Sequence, residues 1–206
     1  MPVFLKAGPR KRNDSVGITG TPGTGKKSVA PLVARALNFR LMDLSAFAVE
    51  NGCADDSPDG SVVDVGKLRR VLRRSRLHAL VIFGHLLPSV FRKGELGFVA
   101  VLRCEPRALR MRLIARGYDD VKVTENVEAE LIGVSLSETL SVFGGRKVRE
   151  YDSTRVDPAR ISREIIRESQ GRIRRGTTWI DWTARYDSAV KLRSLLSSER
   201  TDSAFT

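Results

Sequence analysis

The strongest chemical signal in the chain is one loop, Gly20-Thr21-Pro22-Gly23-Thr24-Gly25-Lys26, with the spacing G-x-x-x-x-G-K. Glycines at these positions let the backbone wrap the β- and γ-phosphates of ATP with its N–H groups turned inward, while the closing ammonium bridges phosphate oxygens. Gly20, Gly23, Thr24, Gly25 and Lys26 are therefore candidate nucleotide-binding residues, and Lys26 is also a candidate catalytic one. The next position ordinarily supplies a Ser or Thr hydroxyl to Mg²⁺, but here it is Lys27, with Ser28 behind it. A charged lysine has no lone pair to offer a metal. Either Ser28 takes over Mg²⁺ in a shifted geometry or the metal is held through water, and both Lys27 and Ser28 join the nucleotide-binding set.

Such a loop works only between a strand and a helix, and the flanking residues predict both. Ser15 to Thr19 is β-prone, and Lys26 to Leu37 has helical periodicity despite Pro31. Ala79 to Phe83 and Phe98 to Leu102 are continuous apolar runs, the pattern of strands buried on both faces of a parallel sheet. Helices are predicted over Asp64 to Leu77, from Pro106 through Leu109, Leu113 and Ile114 to a stop at Gly117, over Thr124 to Leu140, and over Asp157 to Glu168. Asn51 to Gly60 reads as a loop. Alternating strands and helices imply an α/β fold, a doubly wound parallel sheet flanked by helices. Near the C-terminus, Trp179, Ile180, Trp182, Tyr186 and Val190 are spaced as a helix docked by its aromatic side, as core or as a base-stacking platform.

Composition narrows the setting. There is no apolar run near the ~18 residues of a membrane span, and no signal peptide at Met1 to Asp14, so the expectation is a cytoplasmic protein with no membrane contact. Cys53 and Cys104 are too few for a disulfide framework or metal site and read as unpaired thiols. The formal net charge of +12 favours polyanionic partners such as RNA. Lys67, Arg69, Arg70, Arg73, Arg74 and Arg76 on one helix, Lys11-Arg12, and Arg172 to Arg175 would form the basic surface, although a solvated face explains each cluster separately.

Beyond the loop, the sequence resembles the atypical adenylate kinases, the isoenzyme-six type of eukaryotes, with the archaeal members nearest. The resemblance spans roughly Val16 to Trp182. It is carried by the loop, by Val62-Val63-Asp64 and Gly84-His85, and above all by Val101-Leu102-Arg103-Cys104, Arg112 to Tyr118, Glu125-Asn126 and Ala129-Glu130. It implies a P-loop NTPase fold in a single kinase domain over residues 15–196, between a flexible basic lead at 1–14 and a loose tail at 197–206. It also implies a short lid over about 115–125, from which Arg116 contacts ATP, and a nucleoside-monophosphate arm over about 41–64 with Asp43 and Asp64 as polar contacts.

Arg112 and Arg116, four apart, are expected on one helix face, where they could stabilise charge on a transferring phosphoryl group or simply be solvated. The family's acidic-x-His element reads Phe83-Gly84-His85, leaving His85 to orient a water, touch a phosphate or serve structurally. Asp43 could instead cap a helix, and no arginine lies between Leu41 and Ser61 to hold an AMP phosphate. The implied activity is phosphoryl transfer from ATP to AMP with slow ATP hydrolysis. It would serve small ribosomal subunit and rRNA maturation, with a ribosomal protein or rRNA as partner. The alternative is a catalytically weakened ATP-binding assembly factor.

Overall fold

The computed structural model describes residues 14–54, 62–75, 78–171 and 179–196. Five parallel strands form one sheet: β1 (Val16–Thr19), β2 (Arg40–Asp43), β3 (Leu80–Phe83), β4 (Phe98–Arg103) and β5 (Val148–Asp152), in the order β2-β3-β1-β4-β5. Gly17 pairs with Ile82 of β3 on one side and with Val99 of β4 on the other, so β1 is the central strand. The chain turns opposite ways from β1 to build the two halves of the sheet, which makes the carboxyl end of β1 the point where a crevice opens.

Side chains one residue apart on these strands point to opposite faces, and each face has its own helices. Leu80, Ile82, Val99, Val101 and Val148 pack against α2 (Leu44–Glu50), α3 (Val65–Arg74), α4 (Leu87–Val90) and α7 (Val134–Phe143). Val81, Phe83, Ala100, Leu102 and Tyr151 pack against α1 (Lys26–Leu37) and α8 (Pro158–Ser169). Each fully buried Leu, Ile or Val contributes about 1.5–3 kcal/mol. Every residue of β3 and β4, the strands within the two runs read as doubly buried, is buried, as is every residue of β1. Ala79 falls just outside its strand: it adopts φ 52° and donates its N–H to Asp14.

Three expectations change. Thr124 to Leu140 is not one helix but α6 (Asp120–Leu131) and α7, broken at Gly133, whose φ of 71° caps α7. Residues 179–190 do not form a continuous helix. Trp182 opens a 3₁₀ turn at Thr183–Arg185 that ends on Tyr186, and α9 (Ala189–Leu196) follows. Trp182 and Tyr186 are buried as core, whereas Trp179 and Val190 are exposed. Edge strands β2 and β5 were not anticipated. The lead at 1–13, residues 55–61, Arg76 and Leu77, the Arg172 to Arg175 cluster and the tail at 197–206 lie outside the described residues.

A third cluster joins α5 (Pro106–Ile114), α6, Trp182, Tyr186 and α9. Between it and the sheet sits a buried charge network. Arg103, 1% exposed, donates from Nε to Glu130 Oε1 at 2.7 Å, from Nη2 to the Glu130 carbonyl at 2.8 Å, and from Nη1 to Glu150. Removing one partner of such a network leaves buried charge uncompensated. Arg103→Met should therefore lower the unfolding free energy by about 3–5 kcal/mol, read from the urea midpoint. A loss below about 1 kcal/mol would mean that the two carboxylates find water on their own.

Candidate functional site

The loop leaves β1 at Gly20, where a side chain has no room: a Cβ there would sit 2.3 Å from the Leu102 carbonyl oxygen, at φ 139°. At Gly23 a Cβ would stand 2.6 Å from Leu109 of α5, at φ 92°. The loop thus lies directly against the neighbouring strand and helix. Side chains then stitch it in place. Thr24 Oγ1 donates to the Thr21 carbonyl at 2.9 Å, Ser153 Oγ lies 2.7 Å from the Thr24 carbonyl, and Thr21 Oγ1 donates to Glu130 at 2.5 Å.

Gly25 starts α1 in a left-handed conformation, and neither a capping side chain nor an acidic first-turn residue serves its N-terminus. Free amide groups and the helix dipole therefore meet at the mouth of the loop, an arrangement that attracts anions. Lys26 folds back over it, donating from Nζ to the carbonyls of Gly20 at 2.6 Å and Thr21 at 2.9 Å. Burial lowers its pKa to about 7, with Glu130 pulling the other way.

A cleft of about 280 Å³ opens here. Of the residues anticipated from sequence, Gly23, Gly25, Lys26, Lys27, Ser28, Asp43, His85 and Arg116 line it. Ser45, Phe83 and Tyr118 line it as well. Gly20 and Thr24 do not reach it; they shape the loop from behind. Beside it lies a second recess of about 530 Å³, which shares Lys27, Asp43, Ser45 and His85 and runs along α2 past Val49 and Glu50 to Val63. His85, exposed to the cleft, has its pKa lowered by burial and then by the charge of Lys26, while Asp43 raises it.

Three sequence expectations are corrected. Arg112 and Arg116 do not share a helix face: α5 ends at Ile114, Arg112 donates to the carbonyls of Ser153 at 2.8 Å and Thr154 at 2.6 Å, and only Arg116 reaches the cleft. The helix expected from Thr124 begins earlier, inside the 115–125 segment: α6 starts at Asp120, and Asp119 caps it by accepting the Lys122 N–H. Asp64 lines neither recess; its carboxylate caps α3 by accepting the Lys67 N–H at 2.8 Å. Asp43 caps α2 by accepting the Ser45 N–H at 2.9 Å, as the capping alternative expected, and it also lines both recesses.

The donors around the cleft fit Mg²⁺ poorly. The ion wants oxygen ligands, usually one or two carboxylates beside the phosphates. Here Lys27 replaces the loop hydroxyl and Phe83 the strand-end carboxylate. Asp43 already faces the Ser45 N–H with one oxygen and Lys27 Nζ, 4.0 Å away, with the other. The serine hydroxyls that remain at the cleft are those of Ser28 and Ser45. Among the described residues no group of three or more His, Cys, Asp or Glu forms a metal cluster, and no helix is long and apolar enough to cross a membrane.

Residues 16–133 match the family described as AAA domain. A protein named "Putative adenylate kinase" from Thermococcus gammatolerans is 35% identical over 176 residues, covering 85% of this chain and 96% of its own. One of the same name from Pyrococcus abyssi is 35% identical over 177 residues, covering 85% and 94%. The chain belongs to this family. Shikimate kinase from Acinetobacter baumannii, solved in complex with shikimate, shares the fold, with TM-score 0.58 and 14% identity over 77% of this chain and 93% of that one. The archaeal adenylate kinase family and its P-loop fold imply a nucleotide ligand, usually with Mg²⁺. The glycine loop and uncapped α1 suit the nucleotide, while the donor set above departs from the metal.

Functional residues that sequence reasoning passed over include Ser45 and the loop's rear supports, Thr21, Glu130 and Ser153. A serine two residues past a capping aspartate was the available signal for Ser45; Thr21 and Glu130 stood in the motifs, but what the supports bind was not readable, since their partners lie far along the chain. Because burial brings the Lys26 pKa down to about 7, the side chain is mostly neutral at pH 8. Phosphates would restore its charge, so ATP binding at pH 8 should take up a proton, and affinity should fall as pH rises above 7. Calorimetry in two buffers of different ionisation enthalpy reads this directly. Equal heats in both buffers would place the resting Lys26 pKa well above 8.

Proposed function

We propose that this chain is a nucleotide kinase that moves the terminal phosphoryl group of ATP to AMP, with slow ATP hydrolysis when water enters instead. The observation that carries the reading is the pair of contiguous recesses meeting at Lys27, Asp43 and His85, one at the glycine loop and one along α2. Two substrates placed there would have their reacting phosphates at the shared wall. Gly20, Gly23, Thr24 and Gly25 shape the phosphate cradle, whose amides, with Lys26, Lys27 and Ser28, take the ATP phosphates. Arg116 stabilises the charge that spreads over the equatorial oxygens during transfer. Asp43 and His85 face the acceptor, and Asp64 and Arg112 serve by holding α3 and the β5–α8 loop rather than by touching nucleotide. No covalent intermediate is needed, because positioning and electrostatics supply the catalysis.

A second reading, small ribosomal subunit maturation in the cytoplasm, is favoured by α3. Lys67, Arg69, Arg70, Arg73 and Arg74 are exposed on a helix with no acidic residue, in a chain of net charge +12. Such a face suits rRNA, with or without a ribosomal protein, and the nucleotide site would then time release. The alternative within this reading is an assembly factor that binds ATP with little turnover.

A coupled assay of ADP formation, with and without AMP, tests the enzyme. AMP-dependent turnover should vanish in Lys26→Ala. In Arg116→Ala it should fall by about a hundredfold or more with ATP affinity nearly unchanged. Equal losses of turnover and affinity would remove Arg116 from the transition state. For the second reading, rRNA affinity should drop steeply with salt, and replacing Arg70, Arg73 and Arg74 by Ala should flatten that slope. An unchanged slope would exclude α3 from the contact.

A further inference from the structure

Three basic side chains, Lys26, Lys27 and Arg116, line the cleft, and Asp43 is the one carboxylate among the described lining residues. Lys27 sits in the first turn of α1 with its side chain 85% exposed, and its Nζ lies 4.0 Å from Asp43 Oδ2. It occupies the position from which a hydroxyl would ordinarily hold a metal against the phosphates. Its ammonium is a compact point charge with three donors on a flexible stem, able to swing from Asp43 onto phosphate oxygens. A divalent cation brought to the same spot would meet Lys27 at close range, and would find Asp43 already turned toward that ammonium.

We propose that Lys27 stands in for Mg²⁺ at the phosphates, so that this site takes metal-free ATP rather than its magnesium complex. The inference rests on the nucleotide-binding reading above and adds the form of the nucleotide bound. Metal-free ATP is the more highly charged species and gains more from three cations and a helix N-terminus than the partly neutralised complex does. Phe83 at the end of β3 removes the other group that would have favoured the complex, since it is 6% exposed and packs with Val81 and Ala100 rather than offering oxygen.

The test is calorimetric titration of ATP into the full chain, once in excess EDTA and once in saturating Mg²⁺. Wild type, Lys27→Thr and Lys27→Arg are compared. Wild type should bind at least as tightly in EDTA as in Mg²⁺. Lys27→Thr should lose about tenfold in EDTA, the worth of one charge-assisted contact, and recover when Mg²⁺ is added. Lys27→Arg keeps the charge and should behave as wild type. Wild-type binding that weakens tenfold or more in EDTA overturns the proposal, as does a Lys27→Thr variant indifferent to EDTA. Wild type binding ATP in neither condition would instead bring down the nucleotide-site reading, and the Lys27 proposal with it.

Discussion

One buried carboxylate organises this molecule. Glu130 is 1% exposed and receives hydrogen bonds from four directions. Arg103 Nε, the Cys104 backbone N–H and Trp182 Nε1 reach Oε1, while Thr21 reaches Oε2. A carboxylate out of water is tolerable only when its lone pairs are filled, and here the four donors come from three places: the end of β4, which supplies Arg103 and Cys104, the C-terminal segment, and the glycine loop. Disturbing one therefore disturbs the seat of the others. Through Arg103 the network extends to Glu150 of β5, which in turn accepts the Ile180 N–H at 2.7 Å.

The same network helps hold the loop in form. A glycine-rich stretch loses much conformational entropy on ordering. The loss is offset by Thr21 on Glu130, Thr24 on the loop itself, and Ser153 bridging the carbonyls of Thr24 and Arg103. None of these groups lines the cleft. The start of α1, with no capping side chain, and the exposed Lys27 ammonium face it instead, while the Lys26 ammonium holds the carbonyls of Gly20 and Thr21. Cys104 is part of the same packing: fully buried, its thiol is pushed up to about 11, chiefly by burial, which makes it a structural residue rather than a reactive one.

The central strands were legible because burial on both faces writes a continuous apolar run, as in Leu80–Phe83 and Phe98–Arg103. The edge strands were not. Arg40–Asp43 has exposed and half-buried positions only, and Val148–Asp152 carries Arg149, Glu150 and Asp152, so neither looks like a strand without its neighbour. The loop and its lysine were readable from spacing alone, since their chemistry is local. The network behind them was not, because Arg103 and Glu130 are 27 residues apart and each looks like a surface charge on its own. Helix boundaries failed where a glycine interrupts an otherwise good pattern, as at Gly133, and where Arg116 continues a helical spacing that the backbone abandons at Ala115.

The turn between α5 and α6 has a further consequence, in reach. Only residues 115–119 separate the two helices, and a segment of that length spans at most about 17 Å when fully extended. Its ends are also pinned, since Leu109 and Leu113 of α5 share a core with Val123 and Val127 of α6. A tether so short cannot travel like a hinged flap. Under the proposed phosphoryl transfer, enclosure of a nucleotide would fall to the side chains of Arg116 and Tyr118, which line the cleft, and the phosphates would stay within reach of solvent. Leakage of the phosphoryl group to water would then follow from the chain's own dimensions.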